Sequence, residues 1–341
     1  MICTMRLDRA CAEFLTGYFS THQRRSKTQT AYRLDLSQFC DFAGVSCDFL
    51  TLTGTLIEQW AAYLRDEGYS PASIRRKTVT LRVFCGYWVR KGVLPESPFW
   101  RVKLSFGRVE QLPRSLTERE MRALLNQAWR NYGSLESGVA ATAAANLKDR
   151  DKSSCSYRCL RDLALVDLLF ATGMRVGEVS ALDIHDFFIK EAILRVKGKG
   201  GRDRLAFIVD NTSARIQRAH VEARSRIKTD SMALFINPVG GRLSAQGITK
   251  TIARLRQEAR IKRHITPHML RHTVATLLLR NGTDIRVVQE FLGHASIVTT
   301  QRYTHVTKDH MIRVLRKRHP SIKLNAEVPA SGIEALSIVS K

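Results

Sequence analysis

The sequence has no apolar run approaching the roughly 20 residues that a helix needs to cross a bilayer. Met1 to Ala10 carry no hydrophobic segment of the secretion-signal kind. No membrane partner is expected, and the reading is of a cytoplasmic protein. Acidic residues are scarce beside basic ones: 31 Asp and Glu stand against 55 Lys and Arg, for a net charge of +24. That imbalance favours a polyanion, because each phosphate neutralised by Lys or Arg releases a condensed counterion. The positive charge is spread along the chain and not gathered on one amphipathic helix, which argues against a membrane-surface role. A merely basic soluble protein or a ribosomal-type RNA binder remains open on charge alone. Seven cysteines (Cys3, Cys11, Cys40, Cys47, Cys85, Cys155 and Cys159) include no CxxC pair and no zinc-ribbon spacing. Neither a disulfide framework nor a metal site is expected from them, and they read as reduced thiols. No internal repeat is evident.

What is present begins with length. A chain of 341 residues, 44% hydrophobic, can bury a real core and suggests two domains. Apolar residues at helical spacing predict helices around 6–19, 26–43, 54–67 and 71–91. Thr53 or Thr55 precedes the third of these, with Glu58 at the capping-box position from Thr55, and Ser70-Pro71 opens the fourth. That helix mixes Arg75, Arg76, Lys77 and Arg82 with Ile74, Leu81, Phe84 and Trp88. Its basic members are read as facing outward, either solvated or toward DNA.

The organisation expected is a helical domain over 1–105, a linker over 106–113, and a second domain over 114–320 opened by the Thr117…Glu120 capping box. Residues 131–158, with small residues and the run Lys148 to Lys152, read as an inserted loop or mobile helix, order resuming at 160–172. A C-terminal tail is expected over 321–341. Residues 192–197 and 203–209 alternate like strands around Gly198-Lys199-Gly200-Gly201, the composition of a tight turn. Further helices are expected at 211–227, 244–260, 266–281, 284–292, 296–301 and about 307–317.

Three clusters in the second domain carry chemistry. Arg175 follows Gly173 at a helix start, with Glu178 three residues on, near enough to hold the guanidinium; alone this is an ordinary structural ion pair. Thr266-Pro267 supplies an N-cap and a first helical residue, which puts His268 and Arg271 at i and i+3 on one face of the first turn. A His and an Arg at a positive helix N-terminus suit an anion such as phosphate. Downstream, Leu292-Gly293-His294 is followed nine residues later by Tyr303.

In order, TGMRVGE, VKGKGGRDR, PHMLRHTVAT and LGHASIVTTQRYTH resemble the tyrosine recombinase (integrase) family, which includes the Xer, lambda-integrase and Cre proteins. The resemblance implies a mainly α chain: a helical N-terminal core-binding domain, then an α+β catalytic domain with a small antiparallel sheet. It assigns Tyr303 as the nucleophile that forms a 3′-phosphotyrosyl bond and Lys199 as the general acid. His268 takes or relays the tyrosine proton, and His294 hydrogen-bonds the scissile phosphate. Arg175 and Arg271 neutralise that phosphate in place of a metal, and Glu178 orients the first Arg. No cofactor and no metal is implied. DNA contacts fall to Arg75, Arg76 and Lys77 in the first domain, and to Arg202, Gln246, Lys250 and Arg254 in the second.

The implied partners are double-stranded DNA with inverted-repeat core sites and three further copies in a homo-tetramer on paired sites, residues 307–341 docking onto neighbours. An accessory recombinase or element-encoded proteins are compatible with this scheme. The expected role is integration, excision or resolution of a mobile element. Chromosome-dimer resolution, a type IB topoisomerase and a non-catalytic DNA-binding regulator stand as alternatives.

Overall fold

Residues 5–21, 26–44, 47–105, 115–136, 149–198, 203–293 and 308–325 are described by the computed structural model. The chain divides into two units, Met1–Gln111 and Leu112–Lys341.

Helical periodicity in the first unit resolves into α1 (Leu7–Thr21), α2 (Ser26–Ala43), α3 (Gly54–Asp66) and α4 (Pro71–Arg90). Ser70 Oγ accepts the amide of Ser73 at 3.2 Å, so the Ser-Pro start is a genuine N-cap. Thr53, not Thr55, caps α3, accepting the Leu56 amide at 3.3 Å. Thr55 already lies inside the first turn, where its side chain cannot serve the end it belongs to. The core is aromatic. Phe14 meets Phe84 edge-on at 5.4 Å, and Phe39 meets Trp60 at 4.9 Å, all four rings almost fully buried.

One polar group is buried with them. Asp35 on α2 is 1% exposed and accepts from Arg76, from Lys77 at 3.2 Å and from Thr80 at 2.9 Å. This corrects the outward reading of Lys77. Its side chain is 2% exposed, and its ammonium is spent on Asp35, Gln38 and the ring of Tyr69. Burial of a carboxylate on the facing helix demands a cation there, and Lys77 stands on the inner face of α4.

The second unit begins with α5 (Glu118–Glu136), opened by a reciprocal box. Glu120 accepts the Thr117 amide at 2.8 Å, and Thr117 Oγ1 accepts the Glu120 amide at 3.1 Å. Helix α6 (Asp149–Thr172) runs through the middle of the unit, packed by α5 and by α8 (Asn211–Ser225). It starts well before residue 160, where order was expected to resume, because its charged first turns carry no apolar period to betray a helix. After α6 come α7 (Val176–Ala181) and a three-stranded antiparallel sheet in the order β1 (Phe187–Phe188), β2 (Ile193–Val196), β3 (Arg204–Phe207). The β2–β3 register pairs Val196 with Arg204 and Ile193 with Phe207.

Helices α9 (Ala245–Glu258), α10 (Pro267–Arg280), α11 (Ile285–Leu292), α12 (Lys308–Arg318) and α13 (Pro320–Asn325) complete the described residues. Helix α13 falls at the start of the expected tail, yet Leu324 and Asn325 are buried. Asn325 donates to Asp210 at 2.8 Å and to Ser213 at 3.1 Å, which fastens α13 to the start of α8. The fold class is the one anticipated: mainly helical, with a small antiparallel sheet in the second unit.

Candidate active site

The site starts where α6 stops. Gly173 adopts φ +58°, a conformation that costs L side chains roughly 1–2 kcal/mol. A Cβ at this position would also collide with Cδ2 of Leu292. This reversal releases the chain into Arg175, the N-cap residue of α7. Glu178 closes the turn, accepting the Arg175 amide on one oxygen and the Arg175 guanidinium on the other, each at 2.9 Å. The ion pair read from the sequence is therefore present, with its carboxylate mostly enclosed (side chain 15% exposed) and its guanidinium more open at 41%.

Arg271 reaches the same place from α10. Thr266 Oγ1 accepts the Met269 amide at 3.4 Å and Pro267 takes the first helical position, which sets Arg271 facing inward. The Arg271 side chain is spread between two backbone carbonyls, Nη1 to Gly173 and Nη2 to Leu292, both at 2.7 Å. The glycine turn and the end of α11 thus clamp one planar fork. The chain leaves α11 through Gly293 at φ +66°, the left-handed cap that precedes His294.

A third arginine joins them that the sequence reading did not single out. Arg204, the first residue of β3, donates Nη2 to Glu178 at 2.9 Å, on the same oxygen that takes the Arg175 amide. The reading assigned Arg202 from this basic string. Alternation over 203–209 marks the segment as a strand, but it is the pairing with Val196 that places residue 204 beside Glu178.

Two guanidiniums bonded to one carboxylate, with Arg271 close by, leave this cluster with an excess of positive charge. The cleft's groups feel it. Burial first, and then the charge of Arg175, push Arg271 down to about 10, with Arg204 adding repulsion and Glu178 opposing it. Arg271 stays cationic at neutral pH. Burial raises the Glu178 carboxyl, but the Arg175 amide, the Arg204 charge and the Arg175 side chain outweigh it and hold it below its ordinary value. A cluster that repels its own charge in this way is relieved by an incoming anion.

The base of the hairpin is anchored on its other strand too. Asp183 and Asp186, just before β1, bind Lys197 at 3.1 Å and Arg195 at 2.9 Å, and Asp183 also binds Arg242. His185 lies with them and completes three groups of metal-ligand type. These carboxylates are occupied by cations, so the cluster reads as an ion-pair network.

Other expected residues distribute as follows. His268 is exposed on α10, one turn before Arg271. Gln246 and Lys250 are exposed on α9, and Arg75 and Arg76 on α4. Arg254 is half engaged internally, bonded to Asp162 and to Glu258. Lys199, Arg202, His294 and Tyr303 lie outside the described residues. Among the described residues no helix is long and apolar enough to cross a membrane.

The layout, a helical unit followed by a helical unit with a small antiparallel sheet, is that of the integrases. A lambda integrase fragment, solved as a dimer bound to a COC′ core site, matches with a TM-score of 0.62 at 17% identity, over 86% of this chain and 96% of that one. The XerH site-specific recombinase, solved with palindromic difH substrate, matches with a TM-score of 0.61 at 19% identity, over 94% and 84%. The phage integrase family profile covers residues 142–310, and that of the phage integrase N-terminal SAM-like domain covers 11–92. Tyrosine recombinase XerC of Listeria innocua is 32% identical over 317 residues, 90% of this chain and 96% of the relative. Tyrosine recombinase XerD of Halalkalibacterium halodurans is 32% identical over 300 residues, 86% and 92%. The chain belongs to the phage integrase family and is a tyrosine recombinase.

Proposed function

We propose that this recombinase cleaves and rejoins double-stranded DNA at a phosphate seated on Arg175 and Arg271. The observation that carries the assignment is the Arg271 fork, clamped by two carbonyls beside the Arg175–Glu178 pair. Donors fixed before the substrate arrives need no reorganisation as charge gathers on the non-bridging oxygens. In the forward step the Tyr303 oxygen bonds to phosphorus and the P–O5′ bond breaks. The phenol proton passes to His268, and Lys199 gives a proton to the leaving 5′-oxygen. His294 hydrogen-bonds the phosphate. The phosphotyrosyl bond keeps the energy of the broken diester, so a second 5′-hydroxyl reverses the step without ATP.

The exposed Arg75, Arg76, Gln246 and Lys250, with Arg202 and Arg254, are the groups proposed to contact DNA. Phosphate contacts position the protein and base-edge contacts select the site. The assembly proposed is a homo-tetramer on two sites with inverted repeats, in the cytoplasm, serving integration, excision or resolution of a mobile element. Chromosome-dimer resolution is the alternative, separated from it by whether the repeats flank the coding region.

The test uses nicked duplexes tiled across the DNA flanking the coding region, incubated with the full chain and run under denaturing conditions. One duplex is expected to form a covalent protein–DNA adduct, and Tyr303→Phe is expected to form none. An adduct of equal yield with the Phe variant overturns the nucleophile. Activity lost in EDTA and restored by Mg²⁺ overturns the metal-free chemistry.

A further inference from the structure

The mechanism above uses Arg175, Arg271 and Glu178 and leaves Arg204 unemployed, although Arg204 touches more of the site than its place on a strand requires. Its Nη2 holds the Glu178 oxygen that also holds the Arg175 amide. Its Cδ and Nε lie flat against Gly293, where a Cβ would stand 2.5 Å from both. Its Nη1 is buried with no hydrogen-bond partner among the described residues. In sequence it stands five residues after Lys199, and Gly293 immediately precedes His294.

We infer that Arg204 is a positioning residue for the strand-cleavage step, tying the foot of the β2–β3 hairpin to the Arg175 turn and so setting where the hairpin's Lys199 meets the leaving oxygen. The inference rests on the reading of Lys199 as general acid. The geometry behind it is a division of labour at the hairpin base. Asp183 and Asp186 hold β2 through Lys197 and Arg195, outside the arginine cluster. Among the described residues, the ion pair that ties the hairpin to the Arg175 turn comes from β3, through Arg204 and Glu178. Cutting that tie leaves both strands paired and packed but removes the ion pair that fixes the hairpin foot against the Arg175 turn. A general acid misplaced by an ångström loses its advantage even when its pKa is intact. A Cβ at Gly293, already disfavoured by the left-handed φ of that cap, would also press on the Arg204 stem.

The test separates proton delivery from folding and phosphate binding. Two substrates are made from the duplex on which the parent chain forms its adduct. One has an ordinary diester at the cleaved position, the other a 5′-bridging phosphorothiolate, whose sulfur leaves without a proton. Arg204→Gln is expected to slow adduct formation on the diester about 100-fold, the range for a lost general acid, and on the phosphorothiolate by no more than about 3-fold. Arg204→Lys, which keeps the charge without the fork, is expected to show the same rescue at a smaller defect and serves if the Gln variant does not fold. Lys199→Ala is run beside them.

Rescue of Lys199→Ala without rescue of either Arg204 variant overturns the role given to Arg204. Failure to rescue Lys199→Ala itself overturns the general-acid reading, and the positioning role with it. Equal rates of parent and Arg204 variants on the diester also overturn the inference.

Discussion

Replacement of Arg271 by Lys tests whether the proposed phosphate seat is rigid. Arg271 is 7% exposed and donates to the carbonyls of Gly173 and Leu292 at 2.7 Å each. A lysine keeps the charge but replaces two diverging donors with one nitrogen, so at least one buried carbonyl loses its partner. A hydrogen bond to a charged group contributes about 1.5–3 kcal/mol, and a buried carbonyl left bare costs a comparable amount. For a unit of this size each kcal/mol moves the melting temperature by roughly 2–4 °C, so the variant is expected to melt roughly 4–10 °C lower. Losing one aligned donor to the developing charge is expected to slow adduct formation by about 100- to 1,000-fold. Calorimetry of the full chain gives the first number, and quenched single-turnover reactions on the nicked duplex give the second. A Lys variant that melts within about 1 °C of the parent and cleaves within about 3-fold of it would refute the claim that the fork is what the two carbonyls hold.

The other predictions concern the frame around the site. Gly173→Ala combines a disfavoured φ with a collision on Leu292, and is expected to cost about 2–4 kcal/mol in urea titration; an unchanged midpoint would contradict the turn. In the first unit, Asp35→Ala strands the buried Lys77 ammonium and is expected to cost about 3 kcal/mol or more, whereas Asp35→Leu with Lys77→Met is expected to recover most of it. Equal losses in the two variants would show that the pair is not mutually compensating.

A pH profile tests Asp167, which burial pushes up to about 7 from an ordinary 3.8 despite hydrogen bonds from Ser213 and Gln217. The folded state then holds a proton that the unfolded chain releases. Its contribution is complete below about pH 4 and is lost as pH rises through about 7, on the order of 4 kcal/mol in all. His220 and His319, held near 3 by burial, act in the opposite sense and are lost as pH falls below about 6.5. The parent's stability relative to Asp167→Asn should therefore fall between about pH 4 and pH 8; a flat difference would refute the buried proton.

How much of this was legible in the chain depends on the range of each interaction. The caps at Ser70, Thr117 and Thr266 are local, a hydroxyl meeting an amide three residues on, and the text alone places them. The Arg175–Glu178 pair and the His268/Arg271 spacing are also helical neighbours, and periodicity marks the helices of the first unit. Lys77 reads as outward in the sequence because its partner, Asp35, is 42 residues away; charge on a helix reads as solvated until the facing helix is known. β1 spans two residues, too few for any alternation to show.

Arg204 is the instructive case. GGRDR offers two arginines, and composition cannot choose between them. Hairpin register opposite Val196 and the reach to Glu178 choose Arg204, and both are properties of the folded sheet. A resemblance carried over motif by motif nominates residues to meet the substrate. The group that holds those residues to one another is found only when distances across the cleft are available, because its role is defined by its partners and not by its own chemistry.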